Sequence, residues 1–179
     1  LDGRPENAPG TCVTCVMEGT RPVLAEIQGL VTNSGFNTAR RNSNGVDRNR
    51  AMMLLAVLEK RGGLLVSGCD AYMNVIGGLT LDEPAADLPI ALAMVSGLRD
   101  KAIPSDTFAI GELGLGGEVR GVVRVEERIR EGERMGFKRC MLPFDCLGSL
   151  DGGYGICTYF NYQVVDVLDL FQGLSVHTG

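Results

Sequence analysis

Few side chains in this sequence stand where covalent or acid–base chemistry could use them. The single histidine, His177, is among the last three residues, where a chain end frays. A Ser-His-Asp or Cys-His mechanism needs an imidazole held against its nucleophile, so neither is expected. Six cysteines are spread over positions 12, 15, 69, 140, 146 and 157. Only Cys12-Val-Thr-Cys15 is a close pair, and it lies in the strand-like run Thr11-Cys-Val-Thr-Cys-Val-Met17. Residues three apart on a strand face opposite ways. The pair is therefore read as two small core residues rather than a zinc or redox site. Unpaired thiols of this kind fit a reducing cytoplasm. No G-x-x-x-x-G-K-[ST] loop is present to cradle phosphates. Gly111-Glu-Leu-Gly-Leu-Gly-Gly117 lacks the G-x-G-x-x-G spacing and reads as a tight turn. Neither cofactor nor metal is expected in this chain.

The elements that would position any site alternate between strand and helix. Residues 11–18 and 21–32 are β-rich and flank Glu18-Gly-Thr-Arg21, a hairpin signal. A polar loop is expected over 33–45. Asp47 can cap a first helix, whose Ala51-Met-Met-Leu-Leu-Ala-Val-Leu58 is apolar nearly all round and so is expected to be buried on several sides. Gly62-Gly63 ends it. A strand is read over 70–76. A second helix starts at Pro84, with Asp82 and Glu83 at its positive end and Leu88, Ala91, Leu92, Val95 and Leu98 inward. One strand over 106–113, the glycine turn and a short strand to about 123 follow. A third helix over 124–135 spaces Val122, Val125, Ile129 and Gly132 on one stripe. A buried strand over 138–142 ends at Pro143, and a strand near 156–160 and a helix near 163–172 close the chain. Strands alternating with helices after an opening hairpin predict an α/β (α+β) domain.

Composition agrees with one soluble unit. The chain has 179 residues, 45% hydrophobic and 22% charged, enough for one core. Its 25 glycines are about twice the usual share and follow no collagen period, so they serve turns and close approaches. No apolar run nears the ~20 residues of a membrane span, and no signal peptide opens the chain. The first residue is not Met, and Asp2-Gly-Arg-Pro-Glu-Asn-Ala-Pro-Gly10 is polar and turn-rich. Residues 1–10 are read as a linker remnant and 11–175 as a single domain.

Four segments carry a resemblance. Asp82-Glu-Pro-Ala-Ala-Asp87, Gly111-Glu-Leu-Gly-Leu-Gly-Gly-Glu-Val-Arg120, Val125-Glu-Glu-Arg128 and Gly136-Phe-Lys-Arg-Cys-Met-Leu-Pro143 resemble the proteolytic domain of Lon proteases in order and separation. The resemblance implies a Lon proteolytic-domain-like fold, of ribosomal protein S5 domain 2-like architecture. In that family a serine in a G-P-S-A-G turn is the nucleophile. A lysine about 40 residues later is its base, working because burial lowers its pKa. Here Ala85 stands at the serine position and Glu126 at the lysine position. Neither can do the chemistry, and Ser96 and Ser105 are displaced by at least a helical turn. An active Ser-Lys peptidase is the alternative that Ala85 and Glu126 argue against.

The further segments Arg4-Pro-Glu-Asn-Ala-Pro-Gly10, Met17-Glu-Gly-Thr-Arg-Pro22, Asp47-Arg-Asn-Arg50 with Leu54-Leu-Ala-Val-Leu-Glu-Lys-Arg61, and Gly77-Gly78 narrow this. Together they resemble the C-terminal Lon-like domain of the bacterial RadA (Sms) family of DNA-repair ATPases. The resemblance spans about residues 4–143 and implies a pseudoprotease scaffold in a homo-oligomeric, hexameric ring. It implies work on recombination intermediates with the RecA recombinase. Zinc, ATP and Mg would belong to N-terminal parts, a zinc finger and a RecA-like ATPase core, that this chain lacks.

Charge bears on DNA. The formal net charge of −5 excludes a general polycation. Basic residues are nonetheless uneven, with Arg40, Arg41, Arg48, Arg50, Lys60 and Arg61 set against Asp47 and Glu59. Arg40, Arg41, Arg48 and Arg120 lie in or beside loops and are the candidate DNA-binding residues, for weak, sequence-independent contact. Over 124–134, pairs such as Glu126 with Arg130 at i,i+4 are expected to neutralise each other.

Overall fold

The computed structural model describes residues 1–150 and 157–161. His177 and the helix expected near 163–172 lie outside the described residues. The elements in chain order are β1 (Thr11–Glu18), β2 (Arg21–Asn33), β3 (Arg41–Asn44), α1 (Arg48–Lys60), β4 (Cys69–Val75), α2 (Asp87–Arg99), β5 (Thr107–Ala109), β6 (Glu112–Leu113), β7 (Val119–Arg120), α3 (Val125–Arg134), β8 (Arg139–Pro143) and β9 (Cys157–Asn161). A seven-stranded sheet runs β3-β4-β2-β1-β5-β8-β9, and β6-β7 forms a separate two-stranded ribbon. β1 and β2, and β2 and β4, pair antiparallel; the other four pairings in the large sheet are parallel. The architecture is mixed α/β with a mostly parallel central sheet, as the alternation predicts.

Alternation along β1 divides the core. Cys12 and Val16 enter the cluster shared with α1 and α2, while Val13 and Cys15 enter the cluster shared with α3. The two cysteines thus sit on opposite faces. α2 is buried on every side from Asp87 to Ser96, so the five inward positions read from periodicity understate it. Gly97 permits the close approach of this helix to β2: a Cβ there would stand 2.5 Å from the Gly29 carbonyl oxygen. Gly132 does the same for α3, where a Cβ would lie 2.3 Å from the Phe108 ring.

Four expectations need correction. The loop over 33–45 contains β3, a polar edge strand parallel to β4; its Arg-Asn-Ser-Asn sequence has no hydrophobic period to announce it. The strand over 106–113 is broken at Ile110–Gly111. There the Gly111 N–H donates to the Ala85 carbonyl at 2.9 Å and its carbonyl accepts from the Leu88 N–H at 3.0 Å, so the chain leaves the sheet for the start of α2. The second helix opens with a separate 3-10 turn over Pro84–Ala86. Finally, α1 is buried on one broad face only: Ala51, Leu54, Leu55, Val57 and Leu58 are inside, whereas Met52 and Ala56 are exposed. Its Asp47 cap forms, accepting the Arg50 N–H at 2.9 Å. The opening segment touches the body, with the Arg4 guanidinium donating to the Ser105 carbonyl and lying 5.2 Å from the Phe137 ring centroid.

Candidate functional site

The two positions of the sought dyad sit on segments that the structure ties together. Ala85 is buried in the 3-10 turn before α2. Glu126 is in the first turn of α3, half-buried, with the Arg130 guanidinium at 3.7 Å. Two residues before Ala85 stands Glu83; two residues after Glu126 stands Arg128. Arg128 Nη1 and Nη2 donate to the two oxygens of Glu83, the second at 3.0 Å. The same guanidinium donates to the Cys15 carbonyl at 2.9 Å and the Val123 carbonyl at 3.0 Å. Glu83 also accepts the Met17 N–H at 3.0 Å. Arg128 is wholly buried. Such a fork-to-fork pair joins β1, the turn before α2 and α3 into one unit.

A second fork lies beside it. Arg50, from α1, donates through Nε to Asp87 at 2.7 Å and through Nη2 to the other carboxylate oxygen. Asp87 also accepts the Leu113 N–H at 3.0 Å. Burial raises the Asp87 pKa, against the lowering pull of Arg50 and the Leu113 N–H. The segment from 83 to 87 therefore carries two ion pairs and, between them, Pro84, Ala85 and Ala86. Position 85 carries a methyl group and position 126 a carboxylate, so neither supplies the hydroxyl or the amine of a Ser-Lys pair.

Arg128 was not singled out in the sequence, although the signal was present. The stripe Val125, Ile129, Gly132 places position 128 inside, and an arginine on a buried stripe demands a partner.

The four candidate DNA-binding arginines separate. Arg40 is exposed, and its guanidinium lies 3.9 Å from the Phe36 ring centroid. Arg48 is exposed at the start of α1 and lines a small cleft with Arg41, Asn42 and Ser43. Arg41 is half-buried and donates to the Cys69 carbonyl and, at 2.8 Å, to the Val66 carbonyl. Its guanidinium thus serves the fold. Arg120 stands apart on the β6-β7 ribbon, opposite Glu112 and 4.0 Å from Glu118. The expected neutralising pairs on α3 form: Glu126 with Arg130, Glu127 with Arg124 and Glu131 with Arg134.

Among the described residues, no group of three or more His, Cys, Asp or Glu could hold a metal ion. Burial pushes the Cys12 and Cys15 thiols up to about 12, far from the thiolate character that reactivity needs. No helix among the described residues is long and apolar enough to cross a membrane.

Comparison with known proteins adds to this geometry. DNA repair protein RadA of Bacillus subtilis is 48% identical over 180 residues, covering 100% of this chain and 38% of that protein. RadA of Listeria monocytogenes is 49% identical over 143 residues, covering 80% and 31%. The chain is homologous to part of RadA. RadA of Streptococcus pneumoniae is 47% identical over 147 residues, covering 82% of this chain and 35% of that protein. The chain thus spans about a third of the length of these RadA relatives. A family model described as subunit ChlI of Mg-chelatase matches residues 76–146, a span that holds both Ala85 and Glu126.

Proposed function

We propose that this chain is a non-catalytic, Lon-like scaffold domain of a DNA-repair ATPase of the RadA type. In this reading it supports assembly into a hexameric ring and contacts DNA while the whole protein processes recombination intermediates with the RecA recombinase. ATP, Mg and zinc belong to parts of the protein that precede this domain. One observation carries the proposal: Ala85 and Glu126 occupy the dyad positions inside a frame that two forked ion pairs, Glu83–Arg128 and Asp87–Arg50, hold rigid. A frame without the chemistry is what a scaffold needs, because ring contacts depend on shape and not on a nucleophile. The loop arginines supply local positive charge on an acidic chain, which suits weak phosphate contact.

The test is direct. Purified chain incubated with casein and with a fluorogenic peptide is expected to cleave neither, and a serine-reactive phosphonate is expected to label nothing. Cleavage that survives repurification overturns the reading. Ala85→Ser with Glu126→Lys is expected to stay inactive. A dyad lysine needs a pKa lowered by burial, and the side chain at position 126 is 34% exposed.

A further inference from the structure

Three neighbouring parallel strands, β1, β5 and β8, begin at the same end of the large sheet. Gly10 stands just before β1, Ser105 with Asp106 before β5, and Phe137 with Lys138 before β8. The opening segment crosses all three. At one end the Arg4 guanidinium donates to the Ser105 carbonyl and lies 5.2 Å from the Phe137 ring centroid. Phe137 is buried and meets Phe108 of β5 edge-on, with ring centroids 5.6 Å apart. Arg4 thus caps an aromatic pair of the core on the α3 side. The residue after Ser105 ties β5 to β8, because the Asp106 carbonyl accepts the Lys138 and Arg139 N–H groups at 2.9 and 3.1 Å. Further along, Pro5 and Ala8 close over a crevice that Val13, Ile103 and Thr107 also line.

The other end is pinned from two sides. The Gly10 N–H donates to Ser96 Oγ at 2.8 Å, and that buried hydroxyl donates in turn to the Lys101 carbonyl at 2.5 Å. The Gly10 carbonyl accepts the Gly29 N–H at 2.7 Å. Gly10 has a φ of +85°, and a Cβ there would stand 2.4 Å from the Gly29 carbonyl oxygen, so only glycine lets the chain pass between β2 and the end of α2. A flexible linker makes no such contacts.

We propose that residues 4–10 are a strap rather than a linker: a latch that clasps the α2–β5 connection to the α3–β8 turn, and whose release loosens both. Arg4 is the clasp, since it alone touches both segments, and Gly10 is the fixed end. The latch has two states with different exit points. Closed, it sets Leu1 and Asp2 beside Met135 and Gly136, so a segment joined to position 1 would leave the body at the C-terminal end of α3. Open, the same segment would swing from Thr11 at the start of β1, two strand spacings or about 10 Å away. A displacement of the opening residues is in this way conveyed to the end of α2 and the start of β8. The strap depends on neither ring assembly nor DNA contact.

Amide hydrogen exchange of the 179-residue chain, read by mass spectrometry, tests it. Arg4→Ala is expected to speed exchange about fivefold over residues 101–107 and 136–139, because local opening there loses one hydrogen bond and one cation–π contact. Exchange in α1 and β4 should not change. Glu6→Ala, at an exposed strap position, should leave every segment as in the parent. Cleavage after Glu6 by a glutamyl endopeptidase gives a second readout. It should be slow in the parent, because the strap must open first, and about fivefold faster in Arg4→Ala. If the parent is cut there as fast as a free peptide of residues 1–10, the segment is a linker and the strap is wrong. If Arg4→Ala exchanges like the parent over both stretches, Arg4 clasps nothing and the proposal falls. If it speeds exchange equally in α1 and β4, Arg4 serves overall stability and the latch is wrong.

Discussion

Replacing Arg128 with alanine is the most informative single perturbation of this fold. The side chain is wholly buried, and its guanidinium satisfies both oxygens of Glu83 and the carbonyls of Cys15 and Val123. Truncation leaves two carbonyls without this donor and Glu83 without its cation, though Glu83 keeps the Met17 N–H. Breaking a buried ion pair by removing one partner costs about 3–5 kcal/mol. The Glu83 side chain is 22% exposed, so water can partly replace the lost donor, and the low end, about 3 kcal/mol, applies. Against a total stability of about 5–15 kcal/mol, that is a large share. In urea, with a slope of about 2 kcal/mol/M, the midpoint should fall by about 1.5 M. Equilibrium urea unfolding of Arg128→Ala, Glu83→Gln and the double variant measures it. The double variant should be well short of the sum of the singles, because the second substitution removes a group already unpaired. A midpoint shift for Arg128→Ala no greater than for the exposed Arg130→Ala would refute the reasoning, since it would mean the fork contributes no more than a surface pair.

Two further expectations follow from buried polar groups. Burial raises the Asp87 pKa, so the folded chain binds this proton at higher pH than the unfolded chain does. The stability this group contributes is fully present below its unfolded pKa and is lost as pH rises through its folded pKa. The stability of the parent chain relative to Asp87→Asn should therefore grow on acidification from neutral pH. A difference that shrinks toward acid would show that Arg50 outweighs burial. Thr14 Oγ1 is buried and, among the described residues, has no hydrogen-bond partner. Thr14→Val keeps the shape and removes the orphaned hydroxyl, so thermal unfolding should show a gain of about 1 kcal/mol. A loss of stability would mean that the hydroxyl has a partner.

Sequence alone determined whatever depends on near neighbours. The β1-β2 hairpin, the Asp47 cap, the opposite faces of Cys12 and Cys15 and the surface pairs along α3 all follow from spacings of a few residues, where backbone geometry fixes direction. That positions 85 and 126 carry alanine and glutamate is likewise legible, since residue type is the sequence itself. Only the tertiary structure decided the rest. β3 carries no hydrophobic period, so its place at the sheet edge depends on partners distant in sequence: β4, α1 and the Val66 carbonyl. Arg41 looks like any loop arginine until the Val66 and Cys69 carbonyls arrive beside it. Glu83 meets Arg128 from 45 positions away, and Arg50 meets Asp87 from 37. An ion pair between distant segments has no local signature: each charge, read in its own helix or turn, is indistinguishable from a solvated one until packing removes the water around it.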